Sequence, residues 1–291
     1  MSFARATVTH VSVLSARLRR LVLAVPELAK LGLPAVADAA VGIYLPGHGQ
    51  RRTPDMQCVD GVWGYHDPET TPAGRNYSVR FHDAEANLLT VDVVLHTHGP
   101  GTEWARNVDV GDSVVLSHAR AWYRPEPAAE WQLLVADLAG LPALARIVAE
   151  SDPETSLLVI VEVLDETDLD HLPMRSHVTV VPAIGTGNGH PISRLAELVA
   201  RQELPPGRGY CWFAGEAAQS RTVRKHLRAN GWTAEQFDIV GYWRFDSETW
   251  DRKFAETEED LVAVYANALA EGKSDKVASE EFDEALERAG L

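Results

Sequence analysis

Cysteine is scarce. Cys58 and Cys211 are the only two among 291 residues, and they stand far apart. They form no Cys-x-x-Cys pair and offer too few thiolates for an all-cysteine iron–sulfur cluster. Two reduced thiols are expected. Long apolar runs are missing too: none reaches the roughly 18 residues that a membrane-spanning helix needs. The opening Met1-Ser2-Phe3-Ala4-Arg5 has no apolar signal core, so a cytoplasmic location away from any membrane is expected. Positive charge is in short supply, with 27 Lys and Arg against 42 Asp and Glu, a net −15. That balance disfavours nucleic acid and anionic lipid as partners. The excess is uneven, because Ala255 to Leu291 holds eleven acidic and three basic residues.

What is present is ordinary globular material, 45% apolar and 24% charged. The length suits one large domain or two ordinary ones. The first part reads as strands. Ala6 to Val13 alternates with period two, and Arg17 to Val25, Asn76 to Phe81, Leu89 to His96 and Ser113 to Leu116 follow. Strands at this spacing, split by Gly and Pro turns, predict an antiparallel barrel. The turn-rich stretch from Pro46 to Gly74 is expected to be a loop over a site.

After Pro125 and Pro127 the pattern changes. Trp131 to Asp137, Ser156 to Val163, His177 to Pro182, Tyr210 to Gly215 and Phe237 to Trp243 read as strands. Helices are predicted over Leu141 to Glu150, Pro191 to Arg201 and Ser220 to Asn230. Alternating strand and helix predicts an open parallel α/β sheet. The expected division is a barrel over 1–126, an α/β domain over 127–254 and an acidic helical extension over 255–291, broken near Gly272-Lys273-Ser274. That extension is either an amphipathic pair packed on the second domain or a cap over a site.

Chemistry concentrates between Arg75 and Trp104. Arg75-Asn76-Tyr77-Ser78 offers a cation for a diphosphate, a ring face and a hydroxyl. An ordinary strand carries the same residue types. Arg75 and Tyr77 share one strand face, and Ser78 points to the other unless the backbone bends. Gly99-Pro100-Gly101-Thr102 ahead of Trp104-Ala105 reads as a strand-to-helix turn, whose N–H groups and positive helix end suit phosphate. A tight turn that binds nothing has the same letters. His96 and His98 look like a metal pair, but no third ligand is spaced to match, and no metal is expected.

These segments resemble the siderophore-interacting protein family, the FAD-carrying ferric-siderophore reductases. The likeness rests on Arg75 to Arg80, on Asp92 to His96 with Gly99-Pro100 and Trp104-Ala105, and on Ala136-Asp137 with Leu141-Pro142-Ala143. It rests also on Gly215-Glu216-Ala217 with Arg224, His226-Leu227-Arg228 and Gly241 to Arg244. The resemblance implies a flavin-binding barrel followed by a nucleotide-binding-like α/β domain, and reduction of ferric iron in a siderophore. It implies that Arg75 meets the FAD diphosphate, Tyr77 the isoalloxazine and Ser78 its N5, with His96 and Gly99 to Thr102 holding ribityl and phosphate groups. Asp92, Trp104 and Trp243 join that cofactor set. Arg51, Arg52, Arg120 and Arg124 are candidates for an anionic siderophore, or else solvated surface arginines. Asp137, Gly215 and Glu216 are candidates for NAD(P)H. Where the family pattern is Asp-Glu-Thr-Ala-Leu-Pro, this chain has Asp137-Leu138-Ala139-Gly140-Leu141-Pro142, so ferredoxin is an alternative donor. Gly42 stands where members often carry a lysine. A flavin reductase acting on another acceptor and a non-catalytic binding protein are the rival expectations.

Overall fold

The computed structural model describes residues 3–59, 62–65, 72–245 and 247–291. Six strands close an antiparallel barrel: β1 (Ala4–Val13), β2 (Leu18–Ala24), β3 (Ala40–Tyr44), β6 (Gly74–Asp83), β7 (Leu88–Val94) and β8 (Ser113–Arg120), in the order β1-β2-β7-β6-β3-β8. The seam is β1 against β8, from Ala4 opposite Leu116 to Thr7 opposite Ser113. Alternation explains the interior, since Ala4, Ala6 and Val8 are buried while Arg5 and Thr7 between them are not. Strand β3 was not legible beforehand. Ala40-Val41-Gly42-Ile43 is buried on both faces, so it shows no period of two. The turn-rich stretch also holds a short hairpin, β4 (Gln57–Val59) and β5 (Val62–Gly64).

Helix α1 (Pro100–Asn107) links β7 to β8. The expected parallel α/β sheet then follows. Its strands are β9 (Trp131–Ala136), β10 (Ser156–Val163), β11 (Val178–Ile184), β12 (Gly209–Glu216) and β13 (Phe237–Trp243), ordered β11-β10-β9-β12-β13. Helix α2 (Leu141–Glu150) has Leu141 through Val148 all buried. It is wedged between the sheet and the barrel, and the Arg146 guanidinium donates to the Val79 carbonyl of β6 at 3.2 Å. The other sheet face is covered by α3 (Leu195–Arg201) and α4 (Ala217–Ala229).

Two helix starts depart from expectation. Helix α3 begins at Leu195, not Pro191, because the Arg194 N–H is taken at 2.7 Å by Glu162 of β10. Helix α4 begins at Ala217, not Ser220, because the Glu216 carboxylate accepts from the Ala218 and Gln219 N–H groups.

A buried carboxylate joins the two halves. Asp38, in the loop before β3, accepts from the Trp122 and Tyr123 N–H groups at 3.0 and 2.8 Å and from the Trp212 indole of β12 at 3.1 Å. Burial raises its pKa above the usual carboxylate range. The end of the chain forms two helices, α5 (Ser247–Ala270) and α6 (Asp275–Arg288). Helix α5 is continuous across residue 255, the expected boundary, and the break between the helices lies where Gly272-Lys273-Ser274 predicted it.

Candidate functional site

Strand β6 and the start of α1 bring the central motif together. Arg75 and Tyr77 both face the Gly99–Thr102 turn. A Cβ added at Gly101 would lie 2.6 Å from the Tyr77 hydroxyl and 3.9 Å from Arg75 Cγ. Gly99 has φ 109°, a conformation that L side chains rarely adopt. It cannot cap the helix, so the Gly101 and Thr102 N–H groups lack an intrahelical acceptor and are aimed out of the turn. Thr102 is used structurally: its hydroxyl accepts the His96 N–H at 2.9 Å and so fixes the turn to the end of β7. Arg75 is exposed and, among the described residues, donates to the Gly74 carbonyl alone, at 2.7 Å. The Tyr77 ring rests against Trp104, centroids 6.3 Å apart, and Trp104 belongs to the barrel core.

Ser78 points the other way, toward the α/β half. Its hydroxyl faces that of Tyr242 on β13. Both oxygens are buried and neither closes a hydrogen bond among the described residues. Strand β6 does bend, but after Ser78: Arg80 is the extra residue of a bulge between Val79 and Phe81.

Asp92 lies apart from this group. It is buried against β2, where Arg20 grips it through two contacts of 2.7 Å. His96 closes the cleft from the barrel side, its ring 5.3 Å from Trp243 at the end of β13. Burial lowers the His96 pKa, which favours the neutral ring.

The C-terminal edge of the parallel sheet is where ligands bind in open α/β folds. Asp137 follows the last residue of β9 there. Its carboxylate accepts from the Trp243 indole at 2.6 Å and from the Ala139 and Gly140 N–H groups at 2.8 and 3.2 Å. Burial is the main cause that pushes its pKa up to about 7. Gly215 passes beside it, and a Cβ there would sit 3.1 Å from Asp137 Oδ2. Asp137, Gly215 and Glu216 are therefore neighbours, and the start of α4 is already capped by the Glu216 carboxylate. Sequence reading missed Glu162 and Asn188. The Asn188 side chain accepts the Leu138 N–H at 2.8 Å from a residue with φ 58°. The signal was the Gly185-Thr186-Gly187-Asn188-Gly189 run, a glycine-rich turn after a strand.

Beyond Tyr242 lies a cavity of about 670 Å³ between the 120–124 connection, β13 and the α5–α6 hairpin. Trp122 lines it and meets the Tyr242 ring at 6.1 Å. Arg120 and Arg124 line it as well, whereas Arg51 and Arg52 do not. Arg51 pairs with Asp112 at 2.5 Å and Arg52 with Asp55 at 2.9 Å, near the far end of the barrel. Gly42 on β3 is opposite Asn76, and a side chain there would run into the Ser117 hydroxyl. Among the described residues no three His, Cys, Asp or Glu side chains converge as metal ligands.

Two family models match in succession. The siderophore-interacting FAD-binding domain covers residues 7–121, and the siderophore-interacting protein domain covers 129–246. The chain belongs to the siderophore-interacting protein family. It is 25% identical over 225 residues to the ferric vibriobactin reductase ViuB of Vibrio cholerae, covering 74% of this chain and 80% of ViuB. A siderophore utilization protein from T. fusca superposes with TM-score 0.73 at 28% identity, over 84% of this chain and 93% of that one. A ferredoxin NADP+ reductase from Neisseria gonorrhoeae, solved with FAD and NADP, shares the fold with TM-score 0.62 at 16% identity, over 84% of this chain and all of that one. Family membership makes the barrel an FAD-binding domain and the chain an oxidoreductase. Helices α5 and α6 lie beyond the matched residues.

Proposed function

We propose that this protein is an FAD-dependent reductase of ferric siderophores, drawing electrons from NAD(P)H or a ferredoxin and releasing ferrous iron in the cytoplasm. The observation that carries the reading is the juxtaposition of Ser78 and Tyr242: a buried hydroxyl that closes no hydrogen bond among the described residues faces the ring that leads, through Trp122, to a ligand-sized cavity. That cavity falls in the usual range for small-molecule sites, roughly 300 to 1,000 Å³.

The residues fit a flavin dinucleotide. The open N–H groups of Gly101 and Thr102 suit a diphosphate, and Arg75 stands beside them to neutralise it. Tyr77, backed by Trp104, offers a flat face, and the Ser78 hydroxyl, which closes no hydrogen bond among the described residues, suits a ring nitrogen. His96 and Trp243 border the same cleft. Bound FAD supplies single electrons to ferric iron, which then leaves hard oxygen ligands because the ferrous ion binds them far less tightly. No general acid or base is required of the protein. Its part is to seat the ring, exclude water and hold the chelate near.

Anaerobic stopped-flow absorbance tests this. Reduced holoprotein is expected to regain its oxidised flavin spectrum when mixed with a ferric siderophore. Reduced flavin indifferent to catecholate and hydroxamate ferric chelates alike would count against the reading. Steady-state turnover with NADH, NADPH and reduced ferredoxin separates the donors.

A further inference from the structure

Where the barrel meets α2, away from the cleft, a cation is buried without an acceptor. Arg80, the extra residue of the β6 bulge, is 7% exposed. Its Nε and Nη1 atoms are buried and close no hydrogen bond among the described residues. Arginine does not shed its proton in a protein, so the charge stays. A buried charge without a counter-charge or a hydrogen-bond acceptor is among the costliest arrangements in a fold.

The acceptors beside Arg80 are already in use. Asp92 gives one carboxylate oxygen to Arg20 Nε and the other to Arg20 Nη2, each at 2.7 Å. Arg146 of α2 takes the Val79 carbonyl through Nη1 at 3.2 Å and Glu150 through Nε at 2.6 Å. The Arg80 Cζ lies 4.1 Å from the centre of the Phe81 ring, and Arg20 meets the same ring at 5.4 Å. A ring face attracts a cation, but it accepts none of the N–H groups that lie in the guanidinium plane. Burial lowers the Arg80 pKa; Asp92 opposes this, Arg20 and Arg146 add to it, and Glu150 opposes it. The charged groups that face Arg80 from β2, β7 and α2 are therefore Arg20, Asp92, Arg146 and Glu150. Three guanidinium groups stand against two carboxylates, an excess of one positive charge.

Water would satisfy the orphaned N–H groups and leave the charge uncompensated. An anion does both. The contacts above leave one amino group on Arg20 and one on Arg146, so donors approach from β2, β6 and α2. Donors from three directions suit oxygens set at the corners of a tetrahedron better than a planar carboxylate. The depth of Arg80 suits a free ion better than an ester, whose tail needs a way out.

We infer that Arg20, Arg80 and Arg146 form a binding site for a free tetrahedral oxyanion, phosphate or sulfate, at the junction of the barrel and α2. The ion bridges barrel strands to the helix wedged between the two halves, and its occupancy steadies that junction. These three residues belong to neither the flavin contacts nor the acceptor cavity, so the site stands apart from the reductase reading.

Calorimetric titration of the full-length protein with FAD bound tests this, with inorganic phosphate, sulfate and phenyl phosphate added in chloride at matched ionic strength. Phosphate and sulfate are expected to bind saturably, and phenyl phosphate at least about tenfold more weakly. Arg80→Gln should weaken phosphate by about tenfold or more, while Arg80→Lys, which keeps the charge and loses the fork, should fall between. The wild-type unfolding midpoint should rise with phosphate and that of Arg80→Gln should not. Should Arg80→Gln fail to fold, crystals of the wild type grown in selenate locate the ion without any variant: the anomalous signal is expected within hydrogen-bond distance of Arg80. Absence of saturable binding up to about 50 mM phosphate or sulfate, or equal affinity in Arg80→Gln, overturns the inference. So does a selenate signal found only elsewhere, or competition by excess FAD, which would place the ion at the Gly99–Thr102 turn. Phenyl phosphate bound as tightly as phosphate would overturn the assignment to the free ion.

Discussion

The Trp243 indole donates to Asp137 Oδ2 over 2.6 Å, and the same carboxylate accepts from the Ala139 and Gly140 N–H groups in the turn that leads into α2. One buried group thus ties the aromatic edge of the cleft, where Trp243 meets His96, to the turn ahead of the helix wedged against the barrel. Its pKa of about 7, pushed up by burial, lies far above an unfolded aspartate. The folded state therefore binds the proton more tightly than the unfolded chain. The stability that this proton gives is complete at pH near 4 and is lost as pH rises toward 7.

Urea unfolding across that window checks the sign. Wild-type stability is expected to carry a component that declines between pH ~4 and ~7, and Asp137→Asn is expected to lack it. Parallel pH curves for the two proteins would refute the assignment. The indole N–H resonance of Trp243 should titrate with a midpoint of about 7 in the wild type and stay still in the variant.

Gly101→Ala should weaken flavin binding by about tenfold or more, because the new Cβ would come within 2.6 Å of the Tyr77 hydroxyl and push apart the turn and the ring. Flavin titration of the apoprotein reads this directly. An unchanged affinity would mean that the turn and Tyr77 do not form one site.

Ser78→Ala removes a buried hydroxyl that closes no hydrogen bond among the described residues. Its unfolding midpoint is expected to hold or rise, since the penalty for an unsatisfied buried polar group is about 1 to 3 kcal/mol. Flavin affinity should fall in the same variant. A drop in stability with flavin binding intact would assign Ser78 a purely structural role.

Arg224→Ala should destabilise the protein by roughly 3 to 5 kcal/mol, as expected when a buried charge cluster loses one partner. Glu280 and Asp283 would be left facing each other around the vacated site. Limited proteolysis should then cut first between α5 and α6, near Gly272. Equal protease resistance in both proteins would show that the hairpin is held by its apolar contacts instead.

Periodicity alone determined the large features: a barrel of alternating strands, a parallel sheet of apolar strands with helices between, and a helical pair broken at Gly272-Lys273-Ser274. These follow from local physics, because side chains on strands and helices repeat at fixed intervals. The Arg75-Asn76-Tyr77-Ser78 strand and the Gly99–Thr102 turn were legible for the same reason, being short segments whose chemistry lies within a few residues. Whatever depends on contacts distant in the chain was decided by the tertiary structure. Strand β3 is buried on both faces, so it carries no alternation to read. The starts of α3 and α4 were fixed by carboxylates, one of them 32 residues away in Glu162. Asp92 met Arg20 instead of the cleft, and Arg51 and Arg52 were spent on nearby aspartates while Arg120 and Arg124 reached the cavity. Which partner a charged side chain finds is a question of distance in space, and a linear pattern does not contain that distance until the chain has folded.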